Sequence, residues 1–216
     1  MTHRSKVTAA VVLSVTTFWV FNVQGQDRAI ERLEALNQAL SSAAAWHAEF
    51  DQEFTPVGMT MGEKAHGQVW LAWPDRAIFH TGEPPFRLMG FQGRTVRLVD
   101  LPDETCDEHQ LSDREWERVP LAALLDPRGA LVHFNIVAGI DAGITLIPKE
   151  PGGVDRVEII LGEDDLPDEI SIWDPQGAVN SLVFSGWTES IEPPDGGWLP
   201  QAPANVECTT DPAPLD

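Results

Sequence analysis

The apolar positions of this 216-residue chain change period twice. Residues 7–21 are apolar throughout except for Thr8, Ser14, Thr16 and Thr17. From Asp27 onward, Ile30, Leu33, Leu36 and Leu40 recur every three or four residues, which lines one face of a helix ending near Ser41-Ser42. The period then becomes two. Trp46, Ala48, Phe50 and Phe54 alternate with His47, Glu49, Asp51 and Glu53, which predicts a strand with one aromatic face and one acidic, wetted face.

Beyond Pro56-Val57-Gly58 the pattern predicts short strands over 65–73, 76–80, 86–91 and 95–100, with Gly or Pro in nearly every gap. Residues 101–112 read as a polar loop. A short apolar helix is predicted over 119–125, with Leu121, Leu124 and Leu125 on one side and Asp126-Pro127 as its stop. Strands resume over 131–137, 143–147, 155–161, 169–173 and 178–187, and the segment after Glu192 reads as Pro- and Gly-rich extended coil. The expected class is α+β, mainly β. A curved antiparallel sheet forms an incomplete barrel, covered by the N-terminal helix and the short inserted lid helix.

Residues 1–25 have the order of a secretory signal: Arg4 and Lys6, then the apolar run, then Val23-Gln24-Gly25. At about 1.5 Å rise per residue the run falls short of a roughly 30 Å hydrocarbon core. No cysteine follows it, so no lipid anchor is expected at the new N-terminus. The expected organisation is a signal over 1–25, a half-barrel domain over 26–198 and a tail over 199–216. Cleavage near Gly25 would take the net charge from −20 to −22, since it removes two cations and no acid. Such a surface is soluble, repels nucleic acid and anionic headgroups, and favours a monomer. In an oxidising compartment Cys106 and Cys208 either pair, closing a loop of about 100 residues, or stay as two thiols.

The large side chains expected on the inner face include Trp46, Phe50, Phe54, Val69, Leu71 and Trp73, with Phe91, Phe134, Ile136, Ile159, Ile172 and Val183 further on. Trp46, Trp70, Trp73 and Phe79 are expected to cluster in one hairpin. Either these side chains form an ordinary core or they line an apolar cavity of the kind lipophilic ligands need. No nucleophile–base pair or metal-ligand spacing stands out. Asp103–His109 gathers thiol, imidazole and carboxylates without a second ligand pair, and a solvated acidic loop is the simpler reading. No cofactor is implied.

Five segments in order resemble the LolA carriers of outer-membrane lipoproteins. They are Trp46-His47-Ala48-Glu49-Phe50-Asp51-Gln52, Gly67 through Pro74, Gly93-Arg94-Thr95-Val96, Pro120 through Leu125, and Ile191-Glu192-Pro193-Pro194-Asp195-Gly196. The resemblance implies a periplasmic, non-catalytic carrier. It would hold lipoprotein acyl chains, or a related lipid, in a cavity lined by Trp46, Phe50, Phe54, Val69, Leu71, Trp73, Phe91, Phe134 and Ile136. Leu36, Leu40, Leu121, Leu124 and Leu125 would form the lid. An inner-membrane transporter would load the carrier and an outer-membrane acceptor unload it. The family places a lid-latching arginine before the proline, and Trp73 stands there instead. The alternatives are a non-carrier envelope binding or sensor protein on the same scaffold, its cavity filled, and, behind it, a metal-dependent hydrolase using the acidic Asp103–His109 loop.

Overall fold

A computed structural model describes residues 16–116, 127–139, 141, 143–191, 193, 197–204 and 206–211. Helix α1 (Thr16–Ser41) leads into β1 (Ala45–Thr55), β2 (Glu63–Ala72), β3 (Arg76–Thr81), β4 (Arg87–Gln92), β5 (Thr95–Asp100) and β6 (Thr105–Gln110). The short helices α2 (Asp113–Trp116) and α3 (Pro127–His133) follow. Then come β7 (Phe134–Ala138), β8 (Ile144–Pro148), β9 (Arg156–Leu161), β10 (Pro167–Trp173), β11 (Val179–Ser190) and β12 (Thr209–Asp211).

The strands make one open sheet in the order β12-β6-β5-β4-β3-β2-β1-β11-β10-β9-β8-β7. Every pairing is antiparallel except β12 against β6. The sheet is curved and mainly β in class, as the sequence predicts. At its centre β11 carries an extra residue between the partners of His47 and Glu49, and Gly186 sits there at φ 68°. Such a bulge bends a strand and raises its local twist, and glycine reaches this φ without a Cβ penalty.

Helix α1 lies on the inner face. Ala29, Leu33, Leu36 and Leu40 are buried there. The helix begins by Thr16 among the described residues and continues through the amphipathic stretch, with no new helix starting at Asp27. The Ser41 and Ser42 hydroxyls donate to the carbonyls of Gln38 and Ala39 and help end it.

Several elements differ from the sequence reading. Residues 105–110 are strand β6, not loop: the segment pairs along β5 and buries Cys106. Residues 131–133 belong to α3, whose first residue is Pro127. Proline's fixed φ suits the first helical turn, and Pro127 opens this helix; the segment it was expected to stop lies outside the described residues. The predicted lid residues Leu121, Leu124 and Leu125 lie outside the described residues.

The tail is a docked strap. Trp198 packs on the outer face with Ala45, Trp70, Ala72 and Ile78, and the Arg76 guanidinium lies 5.1 Å from its ring centroid. Arg97 donates to the Pro200 carbonyl at 3.0 Å. A disulfide joins Cys106 to Cys208, and β12 then pairs with the edge of β6.

Candidate functional site

The inner face is assembled by register. Trp46 stands opposite Leu71, Leu71 opposite Ala77, and Ala77 opposite Phe91. The next row runs Ala48, Val69, Phe79, Met89. Phe50 faces Gly67 on one side and Phe184 on the other. A Cβ on Gly67 would come within 2.7 Å of the Phe50 ring and 2.1 Å of the His80 carbonyl oxygen, so only glycine gives that ring its place. Phe50 then meets Phe79 edge-on, with ring centroids 5.9 Å apart. On the far half, Ile136, Leu146 and Val157 form one row, and Ile144, Ile159 and Ile170 another. Both halves and α1 share one apolar cluster.

Of the residues expected to line a cavity, Phe50, Val69, Leu71, Phe134 and Ile136 are buried in this cluster, and Trp46 and Phe91 pack against it. Leu36 and Leu40 are buried with them from the helix side. Phe54 and Trp73 stand apart. Phe54 is 43% exposed towards the end of β1, and Trp73 is 45% exposed in the turn between β2 and β3. Val183 is exposed on the outer face, while its neighbours Leu182 and Phe184 join the cluster. The predicted tryptophan cluster is split by strand parity. Trp46 and Phe79 face inward, whereas Trp70 faces outward between His47 and His80, at ring distances of 4.6 and 5.1 Å.

Where α1 crosses the sheet, the inner face is packed. Leu33 and Leu36 retain no exposed surface. Two further contacts fasten the helix. The Trp46 indole N–H donates to the Leu40 carbonyl at 3.1 Å, and Arg32 pairs with Asp165 at 3.3 Å in the β9–β10 turn. Both partners of the ion pair are more than a third exposed, so it contributes less than about 1 kcal/mol. These contacts hold α1 from β1 and from the β9–β10 turn, on different elements from Trp73.

Polar chemistry lies elsewhere. An outer-face hollow of about 430 Å³ is lined by Glu49, Asp51, His66, His80 and Glu83, among others. A smaller one of about 240 Å³ lies beside Val132, Phe134 and Lys149. Among the described residues no group of three or more His, Cys, Asp or Glu is arranged to hold a metal ion. Cys106 is in a disulfide, so the Asp103–His109 segment offers no thiol. Among the described residues no helix is long and apolar enough to cross a membrane.

The signal that sequence reasoning missed at this site is the Trp46–Leu40 bond. It was present only as an indole placed six residues beyond the last leucine of the helix face.

Residues 41–197 match the family described as "Outer membrane lipoprotein carrier protein LolA". An outer-membrane lipoprotein carrier protein of Azotobacter vinelandii is 27% identical over 175 residues, covering 80% of this chain and 77% of its own. One from Chromohalobacter salexigens is 24% identical over 179 residues, covering 81% and 83%. A solved LolA-superfamily protein from Nitrosomonas europaea superposes at a TM-score of 0.41 with 11% identity, over 76% of this chain and 94% of its own. The match over residues 41–197 runs from the end of α1 through β11, and on it the chain belongs to the LolA family of outer-membrane lipoprotein carriers.

Proposed function

We propose that this protein is an exported, non-catalytic carrier that shelters the acyl chains of lipoproteins, or of a related lipid, on the inner face of its sheet. The observation that carries the reading is the continuous apolar cluster spanning both halves of the sheet, covered by α1 with Ala130 of α3 at its side. Burying Leu33, Leu36 and Leu40 is worth roughly 5–9 kcal/mol at about 1.5–3 kcal/mol each. A sixteen-carbon acyl chain, at about 0.8 kcal/mol per buried CH₂, offers roughly 12 kcal/mol. The two burials are of the same order, so in this reading an acyl chain competes with the helix side chains for Phe50, Val69, Leu71 and Ile136, and the helix re-covers the face on release.

In this reading residues 1–25 are removed on export to the periplasm, and the domain over 26–198 works as a monomer. An inner-membrane transporter loads it and an outer-membrane acceptor unloads it. The Trp46–Leu40 bond and the Arg32–Asp165 pair do the work of the family's arginine latch.

A second reading is favoured by one observation: Leu33 and Leu36 are fully buried against the face where α1 crosses it. The protein would then be an envelope binding or sensor protein whose inner face never opens. Native mass spectrometry and lipid extraction of protein recovered from the envelope of expressing cells separate the two. The carrier reading expects a fraction with acylated mass adducts. Protein uniformly free of acylated species, together with no uptake of a triacylated lipopeptide, contradicts it and supports the second reading.

A further inference from the structure

The hairpin between β1 and β2 ends in Phe54-Thr55-Pro56-Val57-Gly58-Met59-Thr60-Met61-Gly62, nine residues without a charge in a chain that is 22% charged. Its large side chains point to solvent: Val57 is 54% exposed, Met59 64% and Met61 82%, beside the exposed Phe54. Scattered exposed apolar residues are ordinary, but four within eight positions on one tip form a patch. On the β3 side the tip projects: β3 pairs with β2 only from Gly67 onward, so residues 63–66 run about 13 Å past it at roughly 3.3 Å per residue. On the other side β11 accompanies β1 as far as Thr55, and only the turn over 56–62 extends beyond it.

The base of the tip is prepared for a medium poorer in water. The Glu53 carboxylate accepts from the Gly62 N–H at 3.1 Å and pairs with Lys64 at 3.4 Å, so one of the two acids flanking the tip is hydrogen-bonded and ion-paired. The Met59 N–H donates to the Pro56 carbonyl at 3.1 Å. Gly58 takes φ 75° at the turn, where a side chain would be strained. Glu63 at the base and Asp51 further down β1 are exposed acids.

We infer that this hairpin tip is a shallow membrane-insertion element, its occupant the neutral interface of a phospholipid bilayer. Charge decides the mode of contact. With a net charge of −20 the body is repelled by anionic headgroups, so it cannot lie flat on them. Only the uncharged tip can enter, and unbranched methionines adapt to a disordered apolar medium. The same charge disfavours a second copy of this chain as the occupant. The inference does not depend on the cargo of the inner face.

The test is oxidation footprinting with dilute peroxide on protein recovered from the envelope, with and without phosphatidylcholine vesicles. Sulfoxide formation at Met59 and Met61 should slow several-fold with vesicles. The Met59→Asp/Met61→Asp variant should float with the vesicles at least tenfold less than the parent, with an unchanged circular dichroism spectrum. On vesicles half phosphatidylglycerol, parent binding should rise with salt as like-charge repulsion is screened. Unprotected Met59 and Met61, equal flotation of the variant, or binding that falls with salt would each overturn the inference. The first of these would point to a protein partner.

Discussion

The indole N–H of Trp46 donates to the carbonyl of Leu40 at 3.1 Å, so the second residue of β1 holds the C-terminal turn of the helix lying over β1's own sheet. One side chain thus fills the inner face and fastens its cover. Trp46→Phe keeps the ring and removes the donor. It should lower unfolding free energy by about 1 kcal/mol in urea titration. Under the carrier reading it should also tighten lipopeptide binding, because the closed form loses a contact that the open form lacks. Weaker binding by a stably folded Trp46→Phe protein would show that the bond supports the ligand site instead.

The strap depends on Gly90. A Cβ there would stand 2.3 Å from the Trp198 carbonyl oxygen and 2.5 Å from Pro200 Cδ. Gly90→Ala should cost about 1–3 kcal/mol and free residues 197–211 for limited proteolysis. Gly153→Ala, where a Cβ meets nothing within 4 Å, should stay within about 0.5 kcal/mol of the parent.

Cys106 and Cys208 are 102 residues apart. Cross-linking a loop of that length is worth about 4–5 kcal/mol in the chain-entropy model. Replacing both with alanine should lower stability by an amount of that order. It should also speed hydrogen exchange in β12 and along β6, while α1 and β7–β10 exchange as before until global unfolding. Uniformly faster exchange would mean that the strap is integrated throughout the sheet.

Ser112 and Glu115 form a reciprocal cap at the start of α2. The Glu115 carboxylate accepts from the Ser112 backbone N–H and hydroxyl, each at 2.8 Å. The backbone bond, then the side-chain bond, holds the Glu115 carboxyl below its ordinary value. A depressed folded pKa gives stability that is present above the unfolded pKa and lost as pH falls through the folded one. The Ser112 amide resonance should therefore titrate below about pH 4.5, with α2 fraying on the acid side. Glu115→Gln should abolish that titration.

The sequence shows the parts of the fold that carry their own hydrophobic pattern. Leu33, Leu36 and Leu40 mark the covering face of α1, and Phe50, Val69 and Leu71 mark the inner face of the sheet, because burial imposes the helix and strand periods on them. The Ser112-x-x-Glu115 cap was also in the sequence, read there as the end of a loop. β6 was not legible in that way. Cys106 is its one buried residue, so pairing with β5 makes the strand and its own hydrophobicity does not. The strap was invisible because its docking depends on missing atoms at Gly90. Trp70 and Trp73 were misplaced for a geometric reason: Trp70 has the opposite parity to Trp46's partner Leu71, and Trp73 lies past the last paired residue.

The central claim is that α1 is a cover that an acyl chain displaces from the inner face. Hydrogen–deuterium exchange across residues 29–40, with and without saturating triacylated lipopeptide, tests it most directly. The account predicts that ligand speeds exchange in this segment while β1 and β2 stay protected. Ligand that binds yet leaves residues 29–40 as protected as before would contradict it.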